Sequence, residues 1–310
     1  MIKGVEIMII DARNKIGYFD KEDKFNNFGL IEYNFKLNQR KDFLHFKDYK
    51  FLDISLDKKY FALVSDWFPK NGTNKTELII FNTQTEQIEY STKNYLVYLV
   101  KFNKDSTKLL FDIYGKKLFC LDLVGKNVFS QLTKSIRIHT GDFDIATDTF
   151  YSPLETRNGV FYIFDFNNGN FIEQNLKISQ SIEKIKFSFD FKKIYFTTKD
   201  DCLYCMDREF KIMWKTDFLN IGMGIKQIST TNIFSSEDGN KLCISTPSTE
   251  KNRWGSEIII DSTNGNIIKE IDNYQGRGII SSDFFENKLL TYKGTTLDIE
   301  TNNVSENIIF

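Results

Sequence analysis

The chain is short of the residues that metal sites, disulfide frameworks and flexible linkers need. Its 310 residues hold two His and four Cys. A four-coordinate metal site built on two histidines needs two further ligands, and no spacing supplies them, so no metal or other cofactor is expected. Four scattered Cys make no disulfide framework, and a reduced, cytoplasmic setting is the expectation. Three Pro and 17 Gly exclude collagen-like and low-complexity chains. No apolar run approaches the roughly 18 residues of a membrane helix. The opening MIKGVEIMIIDARNK is too short in its apolar part, and too polar, for a secretory signal. Net charge is −1, from 41 basic and 42 acidic side chains. That gives no general electrostatic reason to bind nucleic acid or an anionic membrane.

The sequence is rich in aromatic residues, with 30 Phe and 14 Tyr, and these favour strands. No sustained helical stripe is present. Short runs of Ile, Phe, Tyr, Val and Leu are separated by Asn, Asp, Gly, Lys and Thr clusters, and one pattern recurs seven times. An apolar tetrad ends in Asp or Asn and is followed by a polar turn: LIEYN to Asn34, LIIFN to Asn82, LFCLD to Asp122, FYIFD to Asp165, LYCMD to Asp207, EIIID to Asp261 and TTLD to Asp298. The mean stride is 44 residues. A second landmark of the form Asp-x-x-Lys-apolar precedes it in most units: DARNKIGYF, SLDKKYFAL, NKDSTKLLF, IATDTFYSP, SFDFKKIYF, SEDGNKLCI and FFENKLLTY. From Asp105, Asp148 and Asp190 to the next landmark the distance is 17 residues each time.

Each unit therefore reads as four short antiparallel strands, and four strands every 40–45 residues is the period of a β-propeller blade. The expected fold is all-β: one domain, a seven-bladed β-propeller with blades near 1–48, 49–93, 94–134, 135–177, 178–220, 221–274 and 275–310. The Asp-x-x-Lys segments, SEDGNKLCI and SFDFKKIYF above all, resemble the Ser-x-Asp-Gly-Lys turn of WD-repeat propellers. The resemblance spans the chain at the level of pattern, without the Trp-Asp and Gly-His dipeptides of that family. The first unit begins with its inner strand (Val5–Ile10) and the last ends with its outer strand (Val304–Phe310). The ring then closes by packing the first blade on the last; a shift of one strand would instead give a blade shared between the termini.

Three units depart from the average. The landmarks are 23 residues apart in units one and six and 25 in unit two. The extra residues fall between the second and third strands, in FDKEDKFNNFG, SDWFPKNGTNK and TPSTEKNRWG. In a propeller these connections share a face with the blade-to-blade crossings, so they crown one side of one face. They carry Phe25, Phe28, Trp67, Phe68, Arg253 and Trp254, the aromatic and Arg types that interfaces favour. The alternative is that each connection folds back over its own blade. Arg137, His139, Asp142 and Arg277 lie on or beside Gly-rich crossings and mark the mouth of the central channel, either as ligand-facing groups or as solvated turn residues.

Other motifs point away from chemistry. Cys202 and Cys205 have redox spacing, but on a strand residues three apart face opposite ways, and Cys120 and Cys205 share one slot of the repeat. Both facts read as packing. Asp142-Phe143-Asp144 with Asp148 lacks the Gly and final Glu of an EF-hand and reads as a strand with two outward carboxylates. His45 reads as a strand residue. The leading expectation is a non-catalytic scaffold that binds protein or peptide through the long-loop face. The alternatives are a hydrolase or lyase at the channel mouth and a specific inhibitor or immunity-type partner.

Overall fold

The computed structural model describes the backbone at 3–11, 16–22, 27–34, 37, 39–47, 49–65, 76–93, 97, 99–113, 117–132, 140–154, 156–218, 232–245, 256–272, 281–285, 288–291 and 296–303. Side chains are described from Ile31 onward within these ranges, except at 42–47, 50, 272, 281–283, 285, 290 and 291.

Twenty-seven strands are described. Blade one has β1 (Lys3–Asp11), β2 (Ile16–Glu22), β3 (Asn27–Asn34) and β4 (Gln39–Lys47). Blade two has β5 (Tyr49–Ile54), β6 (Tyr60–Ser65), β7 (Glu77–Asn82) and β8 (Gln87–Lys93). Blade three has β9 (Val100–Phe102), β10 (Lys108–Ile113), β11 (Lys117–Asp122) and β12 (Asn127–Leu132). Blade four has β13 (Asp142–Asp144), β14 (Thr149–Pro153), β15 (Val160–Asp165) and β16 (Phe171–Asn175). Blade five has β17 (Ile182–Phe187), β18 (Ile194–Thr198), β19 (Cys202–Met206) and β20 (Ile212–Asp217). Blade six has β21 (Asn232–Ser235), β22 (Lys241–Ser245), β23 (Ser256–Asp261) and β24 (Ile267–Asp272). Blade seven has β25 (Ser281–Phe285), β26 (Lys288–Thr291) and β27 (Thr296–Asp298).

Each blade is one antiparallel meander, and its strands pair in chain order. The fold is thus a seven-bladed β-propeller. The fourth strand expected at Val304–Phe310 lies outside the described residues. The innermost strands touch in sequence, β1 with β5, β5 with β9, β13 with β17, β17 with β21, and β21 with β25. Contact between β25 and β1 closes the ring, and the described part of blade seven contains no strand from the N-terminal segment.

The core lies in the seams. Ala62, Val64, Leu78 and Ile80 of blade two pack with Val100, Phe102, Leu109 and Phe111 of blade three. The cluster joining blades four and five holds Tyr151, Phe161, Ile185 and Phe196, with Tyr151 edge-on to Phe187 at 4.9 Å between ring centroids. Burying one such side chain contributes about 1.5–3 kcal/mol. Middle strands are covered on both faces, so β18 and β19 are buried along their whole length, whereas the outermost β8 and β12 are largely exposed.

Both sequence landmarks are turn devices. In the first, the Ser hydroxyl donates to the Asp two residues on: Ser55 to Asp57 at 2.7 Å, Ser188 to Asp190 at 2.7 Å and Ser236 to Asp238 at 2.6 Å. The same hydroxyl accepts the N–H five residues on, from Tyr60, Lys193 and Lys241. The residue after the Asp position is left-handed at Lys58, Ser106, Phe191 and Gly239. In the second landmark the side-chain oxygen accepts turn N–H groups in all seven blades, at Asn34, Asn82, Asp122, Asp165, Asp207, Asp261 and Asp298. These Asx caps explain why only Asp or Asn stands there.

Unit four corrects the spacing argument. Lys108 pairs with Asp122, whereas Thr149 pairs with Asp165. The hairpin of blade four is two residues longer, and Asp148 sits two positions later in its turn, so the 17-residue distance joins positions that are not equivalent. Asp148 instead accepts the Lys104 N–H of blade three at 2.8 Å.

Two outcomes follow for the turns. A Cβ on Gly239 meets nothing within 4 Å, whereas one on Gly265 falls 2.6 Å from the Trp214 ring and from Thr216 Oγ1 of blade five. Both glycines have positive φ, so Gly239→Ala is expected to cost about 1–2 kcal/mol. Gly265→Ala is expected to cost more, read as a larger drop in urea midpoint. The carboxyl of Asp261 is held below the usual range by the Thr263 hydroxyl and N–H, and that of Asp298 by the Thr301 N–H. A lowered carboxylate stabilises the fold above its unfolded pKa, and the contribution is lost as pH falls through its folded pKa. Replacing both with Asn, the residue already at Asn34 and Asn82, should keep the turns and flatten the acid limb of the stability curve. An unchanged acid limb would contradict this.

Candidate functional site

The long connections stand where the scaffold leaves chain length free. Blade three joins its second and third strands with residues 114–116 and blade five with 199–201, while blade two uses 66–76 and blade six 246–255. Blade one is different. Its extra residues lengthen the strands, leaving only 23–26 as connection. Phe28 therefore lies in β3, paired with Glu22 and Phe46, and is not a loop-tip residue; continued pairing across three strands satisfies the backbone there. Contacts of β21 with β25, β25 with β1, and β1 with β5 place blades six, seven, one and two side by side. The ends of these three connections thus share one face, with blades six and two three steps apart round the ring. Phe25, Trp67, Phe68, Arg253 and Trp254 lie outside the described residues, as do Arg137, His139 and Arg277.

The roots of the two longest connections carry polar groups. In blade two, Ser65 Oγ accepts the Glu77 N–H at 2.7 Å and Tyr49 Oη donates to Glu77 Oε2 at 2.8 Å. In blade six, Glu257 is fully buried. It accepts from the Ser245 hydroxyl at 3.0 Å and the Cys243 thiol at 3.3 Å. Strand register puts Glu257 in the slot that Leu78, Leu118, Phe161 and Leu203 fill elsewhere. The sequence reading missed it, although the signal was visible: EIIID is the one landmark copy that opens on a charge.

Asp142 belongs to an inner-strand device. Its Oδ2 accepts the Phe187 N–H at 2.7 Å, and Lys186 Nζ lies 3.5 Å from Oδ1. Asp53 repeats this with Phe102 N–H at 2.9 Å and Lys101 Nζ at 3.0 Å. Burial pushes the Asp53 carboxyl up, and Lys101 and the N–H offset only part of that. One slot thus alternates Asp53, Lys101, Asp142, Lys186 through blades two to five. Asp144 is fully buried, not outward. It accepts from Thr147 Oγ1 at 2.6 Å and pairs with Arg208 of blade five. The guanidinium of Arg208 also lies over the Tyr151 and Phe187 rings. An innermost strand is covered by blades on both sides, which leaves no outward direction for Asp144.

The cysteines pack. Cys202 joins the core between blades four and five, and Cys205 the core between blades five and six. Burial pushes the thiols of Cys120 and Cys205 up to about 12 and that of Cys202 to about 11, so all three are protonated at neutral pH and poor nucleophiles. Among the described residues no three His, Cys, Asp or Glu side chains are grouped to hold a metal ion.

No family model matches the sequence, and no curated protein sequence matches it. Solved structures do. The Cps50 (Swd1) β-propeller domain of Myceliophteria thermophila superposes with a TM-score of 0.63 at 10% identity, over 98% of this chain and 96% of that one. At that identity the likeness shows the fold.

Proposed function

We propose that this protein is a non-catalytic propeller scaffold that binds a protein or peptide through the face bearing the second-to-third-strand connections of blades one, two and six, of which those of blades two and six are long. The observation that supports the reading is the length of two connections on that face: blades two and six use eleven and ten residues where blades three and five use three, on a ring of blades packed at their seams. Function sits most readily on variable loops fixed by such a frame. The sequence of the two longest adds Trp67, Phe68, Arg253 and Trp254, the residue types that anchor interfaces. Asp142, the described member of the channel-mouth quartet, is engaged in holding blade four to blade five. That favours binding over catalysis at the channel.

Two measurements test this reading. The Trp67→Ala, Trp254→Ala double variant should lose a partner retained by the wild-type protein in pull-downs while its melting temperature stays near wild type. A large fall in melting temperature would assign both rings to packing. Asp142→Ala should act the other way, with partner retention unchanged and stability lower by about 1–3 kcal/mol for the N–H left unpaired in the seam. Loss of retention at unchanged stability would return Asp142 to the binding site.

A further inference from the structure

Three of the chain's Asn-Gly pairs lie in described turns, at Asn158–Gly159, Asn168–Gly169 and Asn264–Gly265. All three asparagines are exposed. An Asn-Gly step undergoes a known chemical reaction. The glycine nitrogen gives its proton to solvent base and attacks the Asn Cγ. The Cγ–Nδ2 bond breaks, ammonia leaves with a proton from water, and a succinimide closes. Water then opens either side of the ring, giving aspartate or isoaspartate, with no oxidation or reduction. The reaction needs a free side-chain amide and a glycine N–H open to solvent.

The turns withhold both. Asn168 Nδ2 donates to Asp165 Oδ2 at 2.6 Å, its Oδ1 accepts the Asn170 N–H at 2.8 Å, and the Gly169 N–H donates to the Asp165 carbonyl at 2.8 Å. Asn264 repeats the clasp with Asp261 Oδ2 at 3.2 Å and the Asn266 N–H at 2.8 Å, and the Gly265 N–H reaches the Asp261 carbonyl at 2.9 Å. Asn158 is held differently: its Nδ2 donates to the Ser179 carbonyl at 2.6 Å, its Oδ1 accepts from Ser181 Oγ at 3.0 Å, and the Gly159 N–H donates to the Gln180 carbonyl at 2.8 Å.

Two of the turns are also seam contacts. The Gly169 carbonyl accepts from Ser130 Oγ of blade three at 2.6 Å, and the Gly265 carbonyl from Thr216 Oγ1 of blade five at 2.6 Å. A Cβ on either glycine would fall 3.0 Å or less from those neighbours, so each glycine is packed into the seam, and the backbone methylene that isoaspartate inserts before it would displace it from that contact.

We propose that Asn158, Asn168 and Asn264 are latent deamidation sites, and that opening of the adjoining seam gates the reaction at Asn168 and Asn264. Covalent change then records seam opening and, once made, hinders reclosure. The test is peptide mapping for isoaspartate after incubation in mildly alkaline buffer, folded or in urea. All three sites should react at least about tenfold more slowly in the folded protein, because reaction proceeds through open states. In folded Thr216→Ala the Asn264 rate should rise roughly threefold or more, the scale of one lost hydrogen bond, with Asn158 and Asn168 unchanged. If Thr216→Ala does not fold, Ser130→Ala makes the same test at Asn168. Equal rates in folded and unfolded protein would overturn the proposal. So would a folded seam variant that accelerates all three sites alike or none.

Discussion

Blade-on-blade packing is the constraint from which the rest of the structure follows. A four-stranded meander whose middle strands are apolar on both faces has two surfaces to cover, and among the described residues no helix covers them. Leu78, Ile79, Ile80 and Phe81 are consecutive and all buried, so both faces of β7 need a partner. Each partner blade has the same need, and the requirement passes round until β25 meets β1. Stability is therefore a property of the ring, built from nearest-neighbour seams. This is also why the middle strands read as continuous apolar runs, while the outer strands carry exposed Ile88, Val128 and Ile172.

Apolar contact is not directional, and wedges of similar shape could slip against one another. The polar contacts supply register. The landmark Lys of one blade reaches the carbonyl just after the landmark Asp of the next, as Lys108 to Phe166 at 2.5 Å and Lys193 to Ser262 at 3.2 Å. Blade four has Thr149 in that position. There the polarity reverses, and Arg208, just after the landmark Asp of blade five, reaches back to Asp144. From inside the ring, Asp53–Lys101 acts at the seam of blades two and three, and Asp142–Lys186 at the seam that Arg208 also bridges. A largely buried ion pair adds little net stability once desolvation is counted. Its value here is that the wrong neighbour would place like charges together.

The architecture was legible because the seam imposes the same demand seven times. Repeating demands leave repeating residues: the Asx cap at Asp122 or Asp261 and the Ser-x-Asp turn at Ser236 can be read without coordinates, since each acts within a few residues. Partners in the next blade could not be read. Asp142 and Asp144 look alike in sequence, two apart on one strand, yet one accepts a neighbouring strand's N–H and the other is sealed under Arg208. The 17-residue spacing misled in blade four because two local differences cancelled. Phe28 misled because extra residues can lengthen a hairpin as readily as a loop. Of the candidate site, the sequence showed which units depart from the repeat and which large side chains they add. The buried carboxylate of Glu257 went unremarked, though it replaces a core Leu or Phe.

The outer edge and the long connections divide two tasks. Outer strands bulge at one equivalent place in four blades, at Glu89, Phe129, Met213 and Ile268. A bulge breaks the flat row of backbone groups that another edge would pair with, so the perimeter discourages strand addition despite its exposed apolar side chains. The connections after β6 and β22 have no such role. Blades three and five close the same hairpin with three residues, which shows that the fold does not need the extra length. Extending a connection from three residues to eleven costs only about 1 kcal/mol in loop closure, so the scaffold tolerates it. Tolerance explains why long connections are allowed, but not why they carry two of the chain's three Trp. Large aromatic rings on chain that the ring does not require are accounted for if they meet a surface outside it.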